Sequence, residues 1–122
     1  MKLSSFLIIH NPFNIFRNFI EINRLKMEVS VSENKENKRF EVMVDGKLAM
    51  IEYIKAQNII YLTHTEVPPE LGGRGIASAM VEQVFQQIKQ EGLELVPLCP
   101  FVAAYLKRHP EWIGILAKGY NV

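Results

Sequence analysis

The segment Gly72-Gly73-Arg74-Gly75-Ile76-Ala77 is the part of this 122-residue chain whose residue types most directly imply chemistry. Glycines let main-chain N–H groups converge with no Cβ atoms in the way. A helix that starts at such a loop leaves its first N–H groups without intrahelical partners and turns its positive dipole end toward them. Together they form a cradle for a phosphate or diphosphate, and Arg74 can add charge beside it. The segment is not a P-loop, because the Gly-x-x-x-x-Gly-Lys-Ser/Thr pattern is missing. It is a poor dinucleotide fingerprint too, since Gly73-Arg74-Gly75-Ile76-Ala77-Ser78 lacks the last glycine and no βαβ unit precedes it. On spacing alone, a glycine-rich connector with no ligand remains the alternative.

The elements that would hold this loop can be read from periodicity. Lys35 to Lys38 is polar and reads as a turn. Phe40, Val42 and Val44 alternate with Glu41, Met43 and Asp45, a period of two that predicts a half-buried strand. Asp45-Gly46 is a two-residue hairpin signal. Leu48 to Lys55 continues as a second strand, with Ala49, Ile51 and Tyr53 opposite Met50, Glu52 and Ile54. Gln57-Asn58 turns the chain again, and Ile59 to Val67 is a third strand. Strict alternation there puts Tyr61, Thr63 and Thr65 on one side and Ile60, Leu62, His64 and Glu66 on the other. With a further strand near Met27 to Val31, the expectation is an antiparallel meander of three or four strands. Pro68-Pro69 ends the sheet.

From Gly75 the period changes. Ile76, Met80, Val84 and Ile88, with Ala77, Val81 and Phe85 beside them, form one apolar face of a helix of about four turns. Gly92 ends it. Leu93 to Leu98 reads as a short buried strand and Phe101 to Arg108 as a short helix closed by His109-Pro110. A last strand is expected around Ile113 to Ala117. The fold class is therefore α+β.

Composition bounds the remainder. The chain is 48% hydrophobic and 22% charged, which fits one globular domain and argues against whole-chain disorder. A net charge of +1 gives no electrostatic case for nucleic-acid binding. One cysteine excludes an internal disulfide framework and a multi-cysteine zinc site, and fits a reducing, cytoplasmic compartment. No metal is expected, and no apolar run is long enough for stable membrane insertion. Residues 1–26 stand apart from the domain expected over residues 27–122. They hold Phe6, Phe13, Phe16 and Phe19 and a local charge of +3. Phe6-Leu7-Ile8-Ile9 is too short for a signal sequence. The extension reads as a loosely attached segment or a misassigned start ahead of Met27, or as a weakly amphipathic helix able to touch an anionic surface or a partner.

Val67-Pro68-Pro69-Glu70-Leu71-Gly72-Gly73-Arg74-Gly75-Ile76-Ala77-Ser78-Ala79-Met80-Val81 closely resembles the acetyl-coenzyme-A-binding segment of the GNAT acetyltransferase superfamily. That segment is a proline-containing strand end, a Gln/Arg-x-x-Gly-x-Gly/Ala loop and a helix. Gly75 and Ala77 match its last two positions, while Gly72 stands where Gln or Arg is usual. Tyr61 to Val67 and Val96 to Trp112 resemble the short, truncated GNAT branch found in bacteria and plants. That branch lacks the acceptor-binding helices and the long C-terminal hairpin. The resemblance spans about Phe40 to Trp112. It implies a splayed fifth strand, with the pantetheine arm of coenzyme A in the gap. Its amides would meet Thr65, Glu66 and Val67, and its diphosphate Gly72, Gly73, Arg74, Gly75, Ile76, Ala77 and Ser78.

The resemblance also implies an N-acetyltransferase acting on an amine, either a small molecule or a protein. Acetyl transfer needs a neutral nucleophile, a polarised thioester carbonyl and a proton for the departing thiolate. Cys99 occupies the position of the branch's suspected catalytic cysteine, so an acetyl-cysteine route is one reading and a small buried hydrophobe the other. His64, or the positive end of the helix from Phe101, would activate the thiol. The alternative for His64 is a hydrogen-bonded strand residue. Tyr105 lies where larger relatives place the tyrosine that protonates the thiolate, or it packs. His109 reads as a surface or capping residue. The competing readings are a coenzyme-A-binding module without efficient catalysis and a partner-binding protein using the Phe-rich extension. A monomer or weak dimer fits a truncated sheet with an open edge.

Overall fold

A computed structural model describes residues 29–122. The extension over residues 1–26, and the Met27 start proposed for the domain, lie outside the described residues. The strands are β1 (Ser32–Asn34), β2 (Arg39–Val44), β3 (Lys47–Ala56), β4 (Ile59–Glu66) and β5 (Glu94–Pro97). The helices are α1 (Ile76–Glu91) and α2 (Pro100–Arg108), with 3-10 segments at Pro69–Leu71 and Pro110–Ile115. The strands form one sheet in sequence order. The pairings from β1 to β4 are antiparallel, and β5 joins β4 in parallel. This is the α+β architecture expected from the periodicities.

The tight turns follow from their residues. Asp45 and Gly46 both sit at positive φ, 51° and 75°, the geometry a two-residue hairpin needs to match strand twist. The Asn34 side chain accepts the Asn37 N–H at 3.0 Å and shapes the β1–β2 turn. At the far end of α1, Gly92 adopts φ 70°, its N–H reaching the carbonyl of Lys89, while the Leu93 N–H reaches that of Ile88. This reciprocal pair satisfies helix carbonyls that would otherwise lack partners.

Phe40 and Val42 of β2, Ala49 and Ile51 of β3, and Ile60 and Leu62 of β4 bury one sheet face against Met80, Val81, Val84, Phe85 and Ile88 of α1. Each of these side chains apart from Ala49 contributes about 1.5–3 kcal/mol relative to exposure. On the opposite face Met43 and Ile54 are exposed.

Three expectations are corrected. The first described strand is Ser32–Asn34; of the strand expected near Met27 to Val31, Val29 to Val31 is not strand and the rest lies outside the described residues. The main chain of Val29 and Val31 is satisfied by a side chain instead: Gln83 of α1 donates to the Val29 carbonyl at 2.6 Å and accepts the Val31 N–H at 3.3 Å. The expected strand around Ile113 to Ala117 is a 3-10 segment, Pro110–Ile115, started by a proline whose fixed φ suits a first helical position. Only Leu116 bridges Leu95, and the Ala117 N–H donates to the Leu95 carbonyl at 2.8 Å. The third correction is in β4. Tyr53 pairs with Leu62 but Glu52 pairs with His64, so Thr63 is an extra residue, a β-bulge. Beyond it the alternation inverts. Thr65 pairs with Ile51 on the core face, and His64 lies across from Glu52 on the open face.

Candidate active site

Two elements meet where β4 and β5 part. Their parallel pairing runs from Ile59↔Glu94 to Leu62↔Pro97 and stops, although β4 continues to Glu66. The Leu62 carbonyl accepts the N–H groups of both Leu98 and Cys99, at 3.1 and 2.9 Å. Beyond that point β5 turns away into α2. Among the described residues, Thr63–Glu66 has a strand partner only on the β3 side. Its other edge carries main-chain donors and acceptors suited to the amides of an extended ligand.

The β4 edge leads through Pro68 and the 3-10 turn Pro69–Leu71, anchored by buried Leu71, into the glycine loop. Gly73 and Gly75 sit at φ 76° and 74°, a left-handed conformation that side chains pay to adopt. Gly75 caps α1 and makes no side-chain cap hydrogen bond. A Cβ built at Gly73 or Gly75 would meet nothing within 4 Å, and Gly72 to Gly75 are all exposed. A Cβ at either glycine would therefore meet no described residue, and Gly75 brings no side chain of its own to the first-turn amides of Ile76, Ala77 and Ser78. This geometry fits a diphosphate. Gly72 is different: its φ is an ordinary −62°, and its N–H donates to the Pro69 carbonyl at 3.0 Å. A Cβ there would lie 3.1 Å from that carbonyl, so a larger residue at this position requires the carbonyl to shift by a few tenths of an ångström. Arg74 reaches Asp45 of the β2–β3 turn, Nη1 to Oδ2 at 2.7 Å.

Cys99 is the N-cap residue of α2 and is buried. Its sulfur lies 3.2 Å from Oγ1 of Thr65. The bulge is what brings these two together, because it turns Thr65 inward. The same bulge separates His64 from Cys99. His64 faces the open side of the sheet, more than half exposed, with Nε2 3.6 Å from the Glu66 carboxylate. The expected His64–Cys99 contact is thus not made. Glu66 is likewise exposed, and Val67 packs against the core.

Tyr105 is buried on α2, its hydroxyl donating to Glu82 of α1. Trp112 Nε1 donates to the same carboxylate oxygen at 3.2 Å, and His109 stacks on the Tyr105 ring with centroids 4.1 Å apart. Burial, and then the hydrogen bond to Glu82, hold the Tyr105 phenol well above its ordinary ionisation range. It lies six positions beyond Cys99, about 9 Å along the helix axis. The structure therefore ties Tyr105 to α1, not to the Cys99 sulfur.

Periodicity gave no hint of Glu82: it sits on the polar flank of α1, and its partners lie 23 and 30 residues away. The contribution of the Thr65 side chain was hidden by the assumption of unbroken alternation. Among the described residues, no helix is long and apolar enough to cross a membrane, and no three His, Cys, Asp or Glu side chains gather as metal ligands.

Comparison with known proteins places this geometry. Protein NATD1 of Mus musculus is 28% identical over 86 residues, covering 67% of this chain and 77% of that protein. NATD1 of Danio rerio is 23% identical over 95 residues, covering 75% and 86%. The solution structure of a GCN5-like protein from Staphylococcus aureus superimposes with a TM-score of 0.59 at 22% identity, over 74% of this chain and 89% of that one, and so shares the fold. Residues 39–115, from the start of β2 to the end of the last 3-10 segment, match the family described as GCN5-related N-acetyl-transferase. The chain belongs to the GCN5-related N-acetyltransferase family.

Proposed function

We propose that this protein transfers an acetyl group from acetyl-coenzyme A to a primary amine. The observation that carries the reading is continuity. The edge of Thr63–Glu66, without a strand partner there among the described residues, leads through the glycine loop into a helix start capped by Gly75, which has no side chain to fold over the helix amides. The edge would hold the pantetheine amides and the Gly73–Ser78 amides the diphosphate. When bound, the co-substrate supplies an activated acyl thioester. The chain's own part is to orient that thioester, to donate main-chain hydrogen bonds from the β4 edge, and to present the Cys99 thiol where the strands part.

Calorimetry with acetyl-coenzyme A and with coenzyme A tests this reading first. Binding of both is expected, and silence at millimolar ligand overturns it. Intact mass after incubation then separates the routes. An acetyl adduct on Cys99 supports covalent transfer, whereas an unmodified chain together with full turnover in Cys99→Ser supports direct transfer. A second reading, a coenzyme-A-binding module with little catalysis, is favoured by one observation: His64 faces away from Cys99 and the Tyr105 hydroxyl is committed to Glu82. Binding without acetylation of any amine in a panel of lysine peptides and polyamines would select it.

A further inference from the structure

We infer that Thr65 is the positioning residue for the Cys99 thiol, an inference that rests on the acetyltransferase reading and concerns the same site. Thr65 Oγ1 lies 3.2 Å from Cys99 Sγ, within hydrogen-bonding reach of sulfur. Among the described residues it is the only side chain with a hydrogen bond to that sulfur. Neither atom is there by accident of packing alone. The bulge at Thr63 is needed to turn Thr65 to the core face, and Thr63 Oγ1 secures it by donating to the Glu52 carbonyl at 3.2 Å. The double hydrogen bond to the Leu62 carbonyl fixes the main chain at Cys99.

The titratable groups on the surrounding elements do not occupy this position. His64 and Glu66 of β4 are exposed and 3.6 Å from each other. Glu94 pairs at Ile59, the opposite end of β5. On α2, Tyr105 donates to Glu82, and Lys107 and Arg108 are exposed in the last turn. From α1, Glu82 is engaged by Tyr105 and Trp112.

A threonine hydroxyl can accept from a thiol or donate to a thiolate. When Cys99 loses its proton to solvent base, the hydroxyl hydrogen rotates onto the sulfur, and Thr65 itself gains and loses nothing. The hydroxyl thus follows the sulfur through ionisation and holds the Cys99 rotamer toward Thr65.

The test exploits the single cysteine of the chain, so thiolate absorbance and alkylation both report on one site. Thr65→Val keeps the branched shape and removes the hydroxyl, and Thr65→Ser keeps the hydroxyl. The pH profile of thiolate absorbance and of iodoacetamide alkylation is compared across wild type and both variants. In Thr65→Val the thiolate fraction at a fixed pH falls about tenfold, the size expected when a hydrogen bond to a charged sulfur is lost. Thr65→Ser restores most of the loss. Superimposable profiles for Thr65→Val and wild type, or a Ser variant that behaves like Val, overturn the inference. Calorimetry with coenzyme A on the same samples separates the two levels. A wild type that binds no coenzyme A sinks the acetyltransferase reading, whereas unchanged thiol profiles in a chain that binds it sink only the role of Thr65.

Discussion

The Leu62 carbonyl accepts the Cys99 N–H at 2.9 Å, and with the Leu98 N–H at 3.1 Å this is the last main-chain link between β4 and the segment after β5. One carbonyl therefore marks both the closed end of the inter-strand gap and the position of the cysteine.

Gly75→Ala and Gly73→Ala each place a Cβ on a left-handed backbone, at φ 74° and 76°. Each should cost about 1–2 kcal/mol of stability, read by chemical denaturation. Because the added methyl meets no described residue and enters the loop proposed to hold the diphosphate, coenzyme A affinity should fall by more than the fold destabilisation alone explains, about tenfold or more by calorimetry. An alanine variant that binds as wild type would show that the cradle is not used.

Arg74 and Asp45 form an exposed ion pair at 2.7 Å. Its contribution to folding should be within about 1 kcal/mol, since solvent screens it. The effect of Arg74 on ligand binding should be larger: Arg74→Ala weakens coenzyme A binding and flattens its salt dependence. Titrations at low and high salt check this.

Glu33 of β1 is held by the Tyr53 hydroxyl at 2.5 Å, by Lys55 at 3.3 Å and by Gln87 of α1 at 3.0 Å. Burial pushes its carboxyl upward, but the hydrogen bonds from Tyr53 and Lys55 and the Lys55 charge outweigh it and hold the group below its ordinary value of 4.5. A depressed folded-state value means that the stabilising contribution is complete above the unfolded-state value and is lost as pH falls through the folded one. The stability difference between wild type and Glu33→Gln should therefore be flat above about pH 5 and shrink on acidification below it. Thermal melts from pH 7 to pH 3 measure this.

Tyr105 ionises well above its ordinary range because it is buried and donates to Glu82. Here the sign reverses. The contribution is complete below the ordinary phenol value of 10 and is lost as pH rises beyond it. Ultraviolet phenolate titration of Tyr105→Phe should lack a component that wild type shows only at strongly alkaline pH. With its hydroxyl committed to α1, the residue is expected to contribute packing more than proton transfer. Turnover in Tyr105→Phe should fall less than about tenfold, short of the hundredfold or more that loss of a general acid brings.

Some of this arrangement was legible in the residues. Asp45-Gly46 specifies its own turn, and the glycines at 75 and 92 bracket an apolar face of period 3.6, so the loop and α1 could be placed closely. The bulge could not. Tyr61-Leu62-Thr63-His64-Thr65-Glu66 alternates equally well in either register, because Thr63 and Thr65 are the same residue type and neither face is strongly apolar beyond Leu62. That ambiguity led to His64, not Thr65, being paired with Cys99. The contacts of Glu82 and Gln83 were also invisible, since both reach residues brought close only by tertiary packing. The 3-10 segment after α2 did carry a signal in Pro110, outweighed by the apolar residues that follow it.

The parallel pairing of β4 with β5 has a kinetic consequence. Val44 meets Lys47, and Ala56 meets Ile59, across turns that close locally. Ile59 and Glu94 are about 35 residues apart, so their docking carries the loop-closure entropy of the whole crossover. In a folding reaction governed by sequence separation, one wall of the gap assembles early and the other arrives late. Amide protons of β5 should then exchange before those of β3 in the native protein, making the thiol end of the cleft the part most readily opened by thermal fluctuation.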